Sequence, residues 1–362
     1  MFELLVRPKA DAEAPPPGLP DTNGAPGIYF GDPKNPGRLR DLLEARIDAV
    51  PAGGEIAWVT YYFRDERLAE ALIRAYRRGV QVLVSLEGAP RLASANRAVI
   101  DRLRVGIGDG LRVVRRGLFR HLHEKLYCFS HPQPAALVGS FNPSGNRHAE
   151  PRIVRKIGDQ DRGHNFLVEL RDGAAARLME HARMLHGHVP GLFEHFACAQ
   201  WRRPIDEGKH RAYLFPRRDS PLDPLLRTLA AGSRLRIAAS HVRDGSVVAT
   251  LTMLAAAGVQ IELLTEGTER RVPQRIEQQL VKHGIAFARY NHPDGLPMHN
   301  KFVLAETPHG RWAAFGSFNL TRTSRWLNTE LLVVSEDDAV FDAFAGRWDA
   351  MKAEMAEHRQ AA

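Results

Sequence analysis

The chain repeats itself. Tyr61-Tyr62-Phe63-Arg64-Asp65 is followed by a helical stretch and then by Gly79-Val-Gln-Val-Leu-Val-Ser-Leu-Glu-Gly. Ser240-His241-Val242-Arg243-Asp244 is followed, in the same order, by Gly258-Val-Gln-Ile-Glu-Leu-Leu-Thr-Glu-Gly. The interval from Asp to Gly is 14 residues in both copies. Matching spacing over that length marks an internal duplication. Whatever unit one half builds, the other must build as well.

The unit reads as strand, helix, strand. Ile56-Ala-Trp-Val-Thr-Tyr is an apolar run of strand length, Leu68 to Tyr76 has helical periodicity, and Gly79 sits where a helix-terminating glycine belongs. Val80 to Leu86 then reads as a second buried strand. Such a repeat predicts parallel strands joined by right-handed crossovers. The expected fold class is therefore α/β, with two similar α/β sandwich halves related by pseudo-two-fold symmetry. Residues 1–27, rich in Pro, Ala and Gly from Lys9 onward, read as a flexible lead-in. The first half is expected over 28–190, a linker over 191–210 and the second half over 211–362. Pro190 to Pro204 combines aromatics with flanking Arg. It reads as a linker packing between the halves, with an interfacial membrane-touching element as the alternative.

A second pair of segments carries the chemistry. His123-Glu124-Lys125-Leu-Tyr-Cys-Phe leads through a Pro-containing turn to Ala136-Leu-Val-Gly139-Ser140-Phe141-Asn142. His299-Asn300-Lys301-Phe-Val-Leu-Ala leads to Trp312-Ala-Ala-Phe-Gly316-Ser317-Phe318-Asn319. His to Asn spans 19 residues in one copy and 20 in the other, and each reads as strand, turn, strand. Residues two apart on a strand share a face, so each His and its Lys point the same way. The Gly-Ser pairs let the backbone approach a ligand, with Ser140 and Ser317 expected at the substrate, while Asn142 and Asn319 supply amide donors. Brought together, two imidazoles, two ammoniums and two amides surround one anionic group. Covalent phosphodiester chemistry needs such a set. One His attacks phosphorus, the other protonates the leaving oxygen and later activates the acceptor, and Lys and Asn neutralise the non-bridging oxygens. No metal or other cofactor is expected.

At these residues the chain resembles the phospholipase D superfamily, over about residues 28 to 350. The resemblance implies the phospholipase D fold and a phosphohistidine intermediate, with His123 as nucleophile and His299 as general acid. Where the family carries Asp five residues after the Lys, this chain has Ser130 and Glu306. The family's downstream Asn-x-Glu stands in the second copy as Asn328-Thr329-Glu330, which implies that Glu330 orients His123 across the pseudo-dyad. The first copy has His164-Asn165-Phe166-Leu167, with Leu in the place of Glu. Glu169, two along on the same strand face, is a candidate substitute, a solvent-facing charge being the other reading.

Substrate is the open question. The formal charge of +8 tilts the chain toward anionic partners. The gap from motif Asn to downstream Asn is 9 residues in the second copy and 23 in the first. The extra stretch, Arg147 to Gly163, is a candidate lid or specificity loop, with Arg152 and Arg155 as candidate substrate-binding residues. A phospholipid substrate, as for phospholipase D and cardiolipin synthase-like enzymes, is expected from the second motif and its sequel, Trp312 through Leu331. Nucleic acid is the alternative, and the intact His, Lys and Asn sets argue against a third reading, an inactive binding module. With both half-sites in one chain, a monomer is expected. Two cysteines without metal-ligand spacing, no basic-then-apolar leader and no run near ~20 apolar residues suggest a cytoplasmic protein, peripheral at most to the inner membrane face.

Overall fold

A computed structural model describes residues 27–115, 117, 119–143, 151–188 and 190–361. The expected flexible lead-in, apart from Gly27, lies outside the described residues. The first half runs β1 (Ile28–Gly31), α1 (Arg38–Asp48), β2 (Glu55–Thr60), α2 (Glu66–Arg77), β3 (Gln81–Glu87), α3 (Arg97–Ile107), β4 (Leu111–Val114), β5 (Leu126–Phe129), β6 (Ala135–Gly139), α4 (Pro151–Ile157), β7 (Asn165–Arg171) and α5 (Asp172–Gly187). Its strands form one sheet in the order β1-β7-β6-β5-β2-β3-β4.

The second half runs α6 (Leu192–Trp201), β8 (Ile205–Glu207), β9 (His210–Leu214), α7 (Leu222–Arg227), β10 (Arg234–Ala239), α8 (Gly245–Ala256), β11 (Gln260–Glu266), α9 (Gln274–Lys282), β12 (Ala286–Tyr290), β13 (Lys301–Thr307), β14 (Gly310–Gly316), α10 (Arg322–Trp326), β15 (Leu331–Ser335) and α11 (Asp338–Ala361). The second sheet has the order β12-β11-β10-β13-β14-β15-β9-β8. The stretch set aside as a linker is thus largely structured, since β8 pairs antiparallel with β9 at the edge of this sheet.

The repeated Asp and Gly have matching structural jobs. The Asp65 carboxylate accepts from Leu68 N at 3.0 Å and caps α2, and Asp244 accepts from Ser246 N at 3.0 Å and caps α8. Gly79 (φ +89°) and Gly258 (φ +87°) then turn the chain out of these helices in the left-handed conformation. The crossovers make β2–β3–β4 and β10–β11–β12 parallel, as the repeat predicts. The motif strands are different. β5, β6 and β7 follow one another antiparallel, as do β13, β14 and β15, so both sheets are mixed. The short turn between motif strands leaves no room for the crossover a parallel pair needs.

Each sheet has an outer face covered by its own helices, with Leu43, Leu72 and Leu103 packed on Trp58 and Val84 in one half, and Leu251 and Leu280 on Ile237 and Leu263 in the other. The inner faces share a third core. Val138, Phe166 and Leu178 meet Phe302, Phe315, Phe344 and Trp348 there, and the Phe166 and Phe315 rings lie edge to face with centroids 6.2 Å apart. Burying both inner faces against α5 and α11 fuses the halves into one body.

Candidate active site

The histidines sit where the two halves exchange backbone hydrogen bonds. His123 N donates to Thr329 O at 3.0 Å and Thr329 N to His121 O at 2.9 Å; His299 N donates to His164 O and His164 N to Pro297 O, both at 2.9 Å. These are two short parallel bridges, Leu122–Thr329 and His164–Met298, and they are images of each other. Each histidine precedes its motif strand rather than lying in it, and is positioned by main chain from the opposite half.

The bridges also define the equivalences. Thr329 matches His164, so Glu330 matches Asn165, two residues earlier than the motif comparison placed it. The side chains agree. His123 Nδ1 donates to Glu330 Oε2 at 2.8 Å, whereas His299 Nδ1 donates to Ser140 O at 2.9 Å and lies 3.2 Å from Asn165 Oδ1. The candidate substitute Glu169 is instead buried farther along β7, 2.5 Å from Arg46 and within 3.3 Å of the Tyr29 hydroxyl. It is neither an orienter nor a solvent-facing charge: it shares the parity of Asn165 but lies four residues farther along the strand, roughly 13 Å away, where it pairs with Arg46 of α1.

The two serines bind the orienters instead of facing substrate. Ser317 Oγ donates to Glu330 at 2.6 Å and accepts from Leu331 N at 3.0 Å, while Ser140 Oγ donates to Asn165 Oδ1 and accepts from Phe166 N, both at 3.2 Å. Both hydroxyls are fully committed and buried. Glu330 also accepts from Ser324 Oγ at 2.8 Å and Asn328 Nδ2 at 3.3 Å. Gly139 and Gly316 precede these serines, and a Cβ there would lie 2.1 Å from Phe166 O and 2.2 Å from Leu331 O. Only glycine lets the motif strand come this close to its neighbour.

A cavity of about 130 Å³ opens on the histidines, lined by His123, His299 and Asn142 from the expected set. Asn142 Oδ1 accepts from Tyr62 N at 3.3 Å. With Nδ1 of each imidazole engaged, Nε2 is left for the cavity. Lys125 and Lys301 are buried beside it, each donating to the carbonyl of its own histidine, at 2.7 and 2.8 Å. Lys301 and Asn319 line a smaller, mainly apolar hollow in the second half. Of the candidate substrate-binding arginines, Arg152 is exposed on α4 and does not line the cavity, and the Arg155 side chain lies outside the described residues. The insertion nonetheless forms part of the wall, through Lys156, Ile157 and Gln160.

Six more lining residues escaped the sequence reading: Tyr61, Tyr62, Arg91, His241, Arg270 and Arg271. The duplication held a signal for them. Tyr62 and His241 occupy one repeat position, three before the capping Asp, and Arg91 and Arg270 occupy another, 12 after Gly79 and Gly258. Ser130 and Glu306, at the family's Asp position, serve their sheets: Ser130 Oγ accepts from Glu55 N at 2.7 Å and Glu306 from Arg236 at 2.6 Å.

Burial and crowded positive charge set the protonation states. Burial pushes His123 down to about 4; Glu330 opposes this and Lys125 and Lys301 reinforce it. His299 falls well below the ordinary imidazole range through burial, then Lys301, Arg271 and Lys125, and His241 does so through burial, then Arg271 and Lys301. Burial would raise the Glu330 carboxyl, but His123, Lys125 and the Ser317 hydroxyl hold it below the ordinary range. Burial brings Lys125 down to about 7 against the pull of Glu330 and Glu124. At neutral pH the free site holds the uncharged imidazoles of His123, His241 and His299, with an ionised carboxylate behind His123. The electropositive surroundings suit an anion.

A family model described as cardiolipin synthase, PLD-like domain, matches residues 49–150 and 225–352. The chain belongs to the phospholipase D superfamily. Among solved structures of similar fold are the phosphatidylserine synthase of Haemophilus influenzae Rd KW20, with 12% identity, TM-score 0.60 and coverage of 92% of this chain and 87% of that one, and the polyphosphate kinase of Porphyromonas gingivalis, with 15% identity, TM-score 0.58 and coverage of 91% and 50%. This chain spans about half the length of the kinase. No curated protein matches the sequence. For this member of the superfamily, a phosphodiester-transfer role is supported at the level of reaction class. Away from the site, His292, Glu354 and His358 place potential ligand atoms within 4.8 Å of one another; Glu354 already accepts from the Tyr290 hydroxyl at 2.6 Å. Among the described residues no helix is long and apolar enough to cross a membrane.

Proposed function

We propose that the protein is a phosphodiesterase or phosphatidyltransferase that acts on a phospholipid through a phosphohistidine on His123. The observation that carries this reading is the unequal pair of imidazoles. When His123 Nε2 forms its bond to phosphorus, the ring becomes cationic, and Glu330 2.8 Å from Nδ1 compensates that charge. His299 faces a carbonyl and an amide oxygen, which fix its tautomer without a full negative charge. It takes up its proton when the anionic substrate arrives and passes it to the leaving oxygen as the P–O bond breaks. In the second step His299 accepts the proton of water or an alcohol, the new P–O bond forms and the P–N bond of the intermediate breaks. Lys125, Lys301, Asn142 and Asn319 would counter charge on the non-bridging oxygens.

Exposed apolar side chains support a lipid substrate. Leu192, Phe193 and Phe196 on α6 are exposed, Phe193 to 92%, and Phe119, at 81%, precedes His123 by four residues. Arg120 donates to Gly191 O at 3.5 Å and draws the two segments together. Exposed aromatics on α6 and at Phe119, on a chain whose cavity is electropositive, fit contact with an anionic membrane surface. Nucleic acid is the second reading, favoured by the arginines of the cavity wall. The deciding assay offers phosphatidylglycerol vesicles and single-stranded DNA separately, both with EDTA. Lipid turnover with loss of vesicle binding in Phe193→Asp supports the first reading; DNA cleavage without lipid turnover replaces it with the second. Acid-quenched protein should carry phosphate on His123, and label on His299 would reverse their roles.

A further inference from the structure

Arg91 and Arg270 stand at equivalent places in the two repeats, in the loops that leave β3 and β11, and both line the catalytic cavity. The duplication therefore sets two guanidiniums across the same pseudo-dyad that relates the histidines. Both are exposed, and among the described residues neither forms an ion pair with an acidic side chain. Their neighbour Arg271 is unlike them, being held by Ser240 Oγ at 2.9 Å and by Glu266 at 3.5 Å. Arg91 and Arg270 share the cavity wall with Tyr62, whose hydroxyl both act on, and after burial Arg91 does most to lower the Arg270 guanidinium, with Glu266 opposing it. Two like charges turned toward one opening, with Lys156 on the same wall, repel each other unless an anion lies between them.

We propose that Arg91 and Arg270 form a second anion subsite beside the histidines, which takes a phosphate group neighbouring the scissile phosphodiester. The inference rests on the phosphohistidine reading for where the scissile phosphate sits, and it narrows the substrate to one with two adjacent phosphates. That chemistry has two sources, a phospholipid with a phosphorylated headgroup or the next phosphate of a nucleotide chain. Neutralising both guanidiniums needs more negative charge than one diester carries.

The test compares substrates matched at the scissile bond. In one arm, the p-nitrophenyl ester of thymidine 5′-phosphate is set against the same ester carrying a 3′-phosphate; in the other, vesicles of phosphatidylglycerol are set against vesicles of phosphatidylglycerol phosphate. The second phosphate should lower KM roughly tenfold or more in at least one arm, and that arm names the source. Arg91→Gln with Arg270→Gln should erase this advantage, raising KM for the doubly charged substrate far more than for its partner. Equal losses on both members of a pair would mean diffuse attraction and overturn the subsite. Pyrophosphate and phosphate binding, measured by calorimetry, gives a readout without turnover. Wild type should prefer pyrophosphate about tenfold and the double variant should not. If no diester is turned over yet that preference holds, the phosphohistidine reading fails and the subsite survives; if diesters are turned over without any preference, the reverse is true.

Discussion

Asn165 occupies the position in the first half that Glu330 occupies in the second. Each is bonded to the hydroxyl of its own Gly-Ser motif, through Ser140 or Ser317, and each reaches Nδ1 of the opposite half's histidine. A two-fold scaffold thus carries one carboxylate and one amide at matched places. That difference makes the two imidazoles chemically distinct.

Glu330→Gln should keep the fold and lower kcat on the order of 10²–10⁴-fold, because an amide holds the His123 tautomer poorly and leaves the phosphoimidazolium without a counter-charge. The pH profile gives the sign. In the free enzyme, kcat/KM should fall below about 4 as His123 gains a proton; on the basic side it should decline because His299 must take up a proton to act, and more steeply above about 7 as Lys125 loses its own. Glu330 raises His123 and Lys125, so the acid limb and the break near 7 should both move to lower pH in the variant. A break near 7 that stays in place would sink this account.

Asn165→Asp would put a second carboxylate beside His299. Its proton affinity should rise toward the ordinary imidazole value, opposing the depression by burial and by Lys301. Titration of the ring by NMR measures this directly. No upward shift would show that Asn165 does not govern His299.

Gly139→Ala and Gly316→Ala should each destabilise by about 1–3 kcal/mol, since the new methyl would meet the backbone carbonyl of Phe166 or Leu331. Activity should fall as well, because Phe166 and Leu331 directly follow Asn165 and Glu330 in the chain. Gly187→Ala, at the end of α5 with nothing within 4 Å of its added Cβ, is the control and should unfold at the same temperature or slightly above it.

Glu169→Gln should cost about 3–5 kcal/mol by leaving the buried Arg46 charge without its carboxylate. If Glu169 serves the fold alone, the folded variant keeps the wild-type pH profile. A displaced profile would return it to the catalytic machinery.

Much of this was legible in the chain. The capping Asp65 and Asp244, the turning Gly79 and Gly258, and the paired His-x-Lys segments each have a local cause and read out by spacing. What failed was non-local. Comparing Asn328-Thr329-Glu330 with Asn165-Phe166-Leu167 aligns two asparagines, yet the bridges to Leu122 and Met298 align Glu330 with Asn165. Nothing near Asn165 in sequence shows which strand of the other half it will meet. Ser140 and Ser317 were misread for the same reason, since a hydroxyl's acceptor is known only when the neighbouring strand is in place. Arg91 and Arg270 were visible as a repeated position, but only the cavity reveals that they converge.

The seam bridges have one more consequence. A homodimer of single-motif chains has identical protomers, so every orienter appears twice and no mutation can alter just one. Here the bridge partners His123–Thr329 and His299–His164 are encoded once each within one chain. Joining the copies freed each side to mutate alone, and a carboxylate facing one histidine with an amide facing the other is a division of labour that exact symmetry forbids.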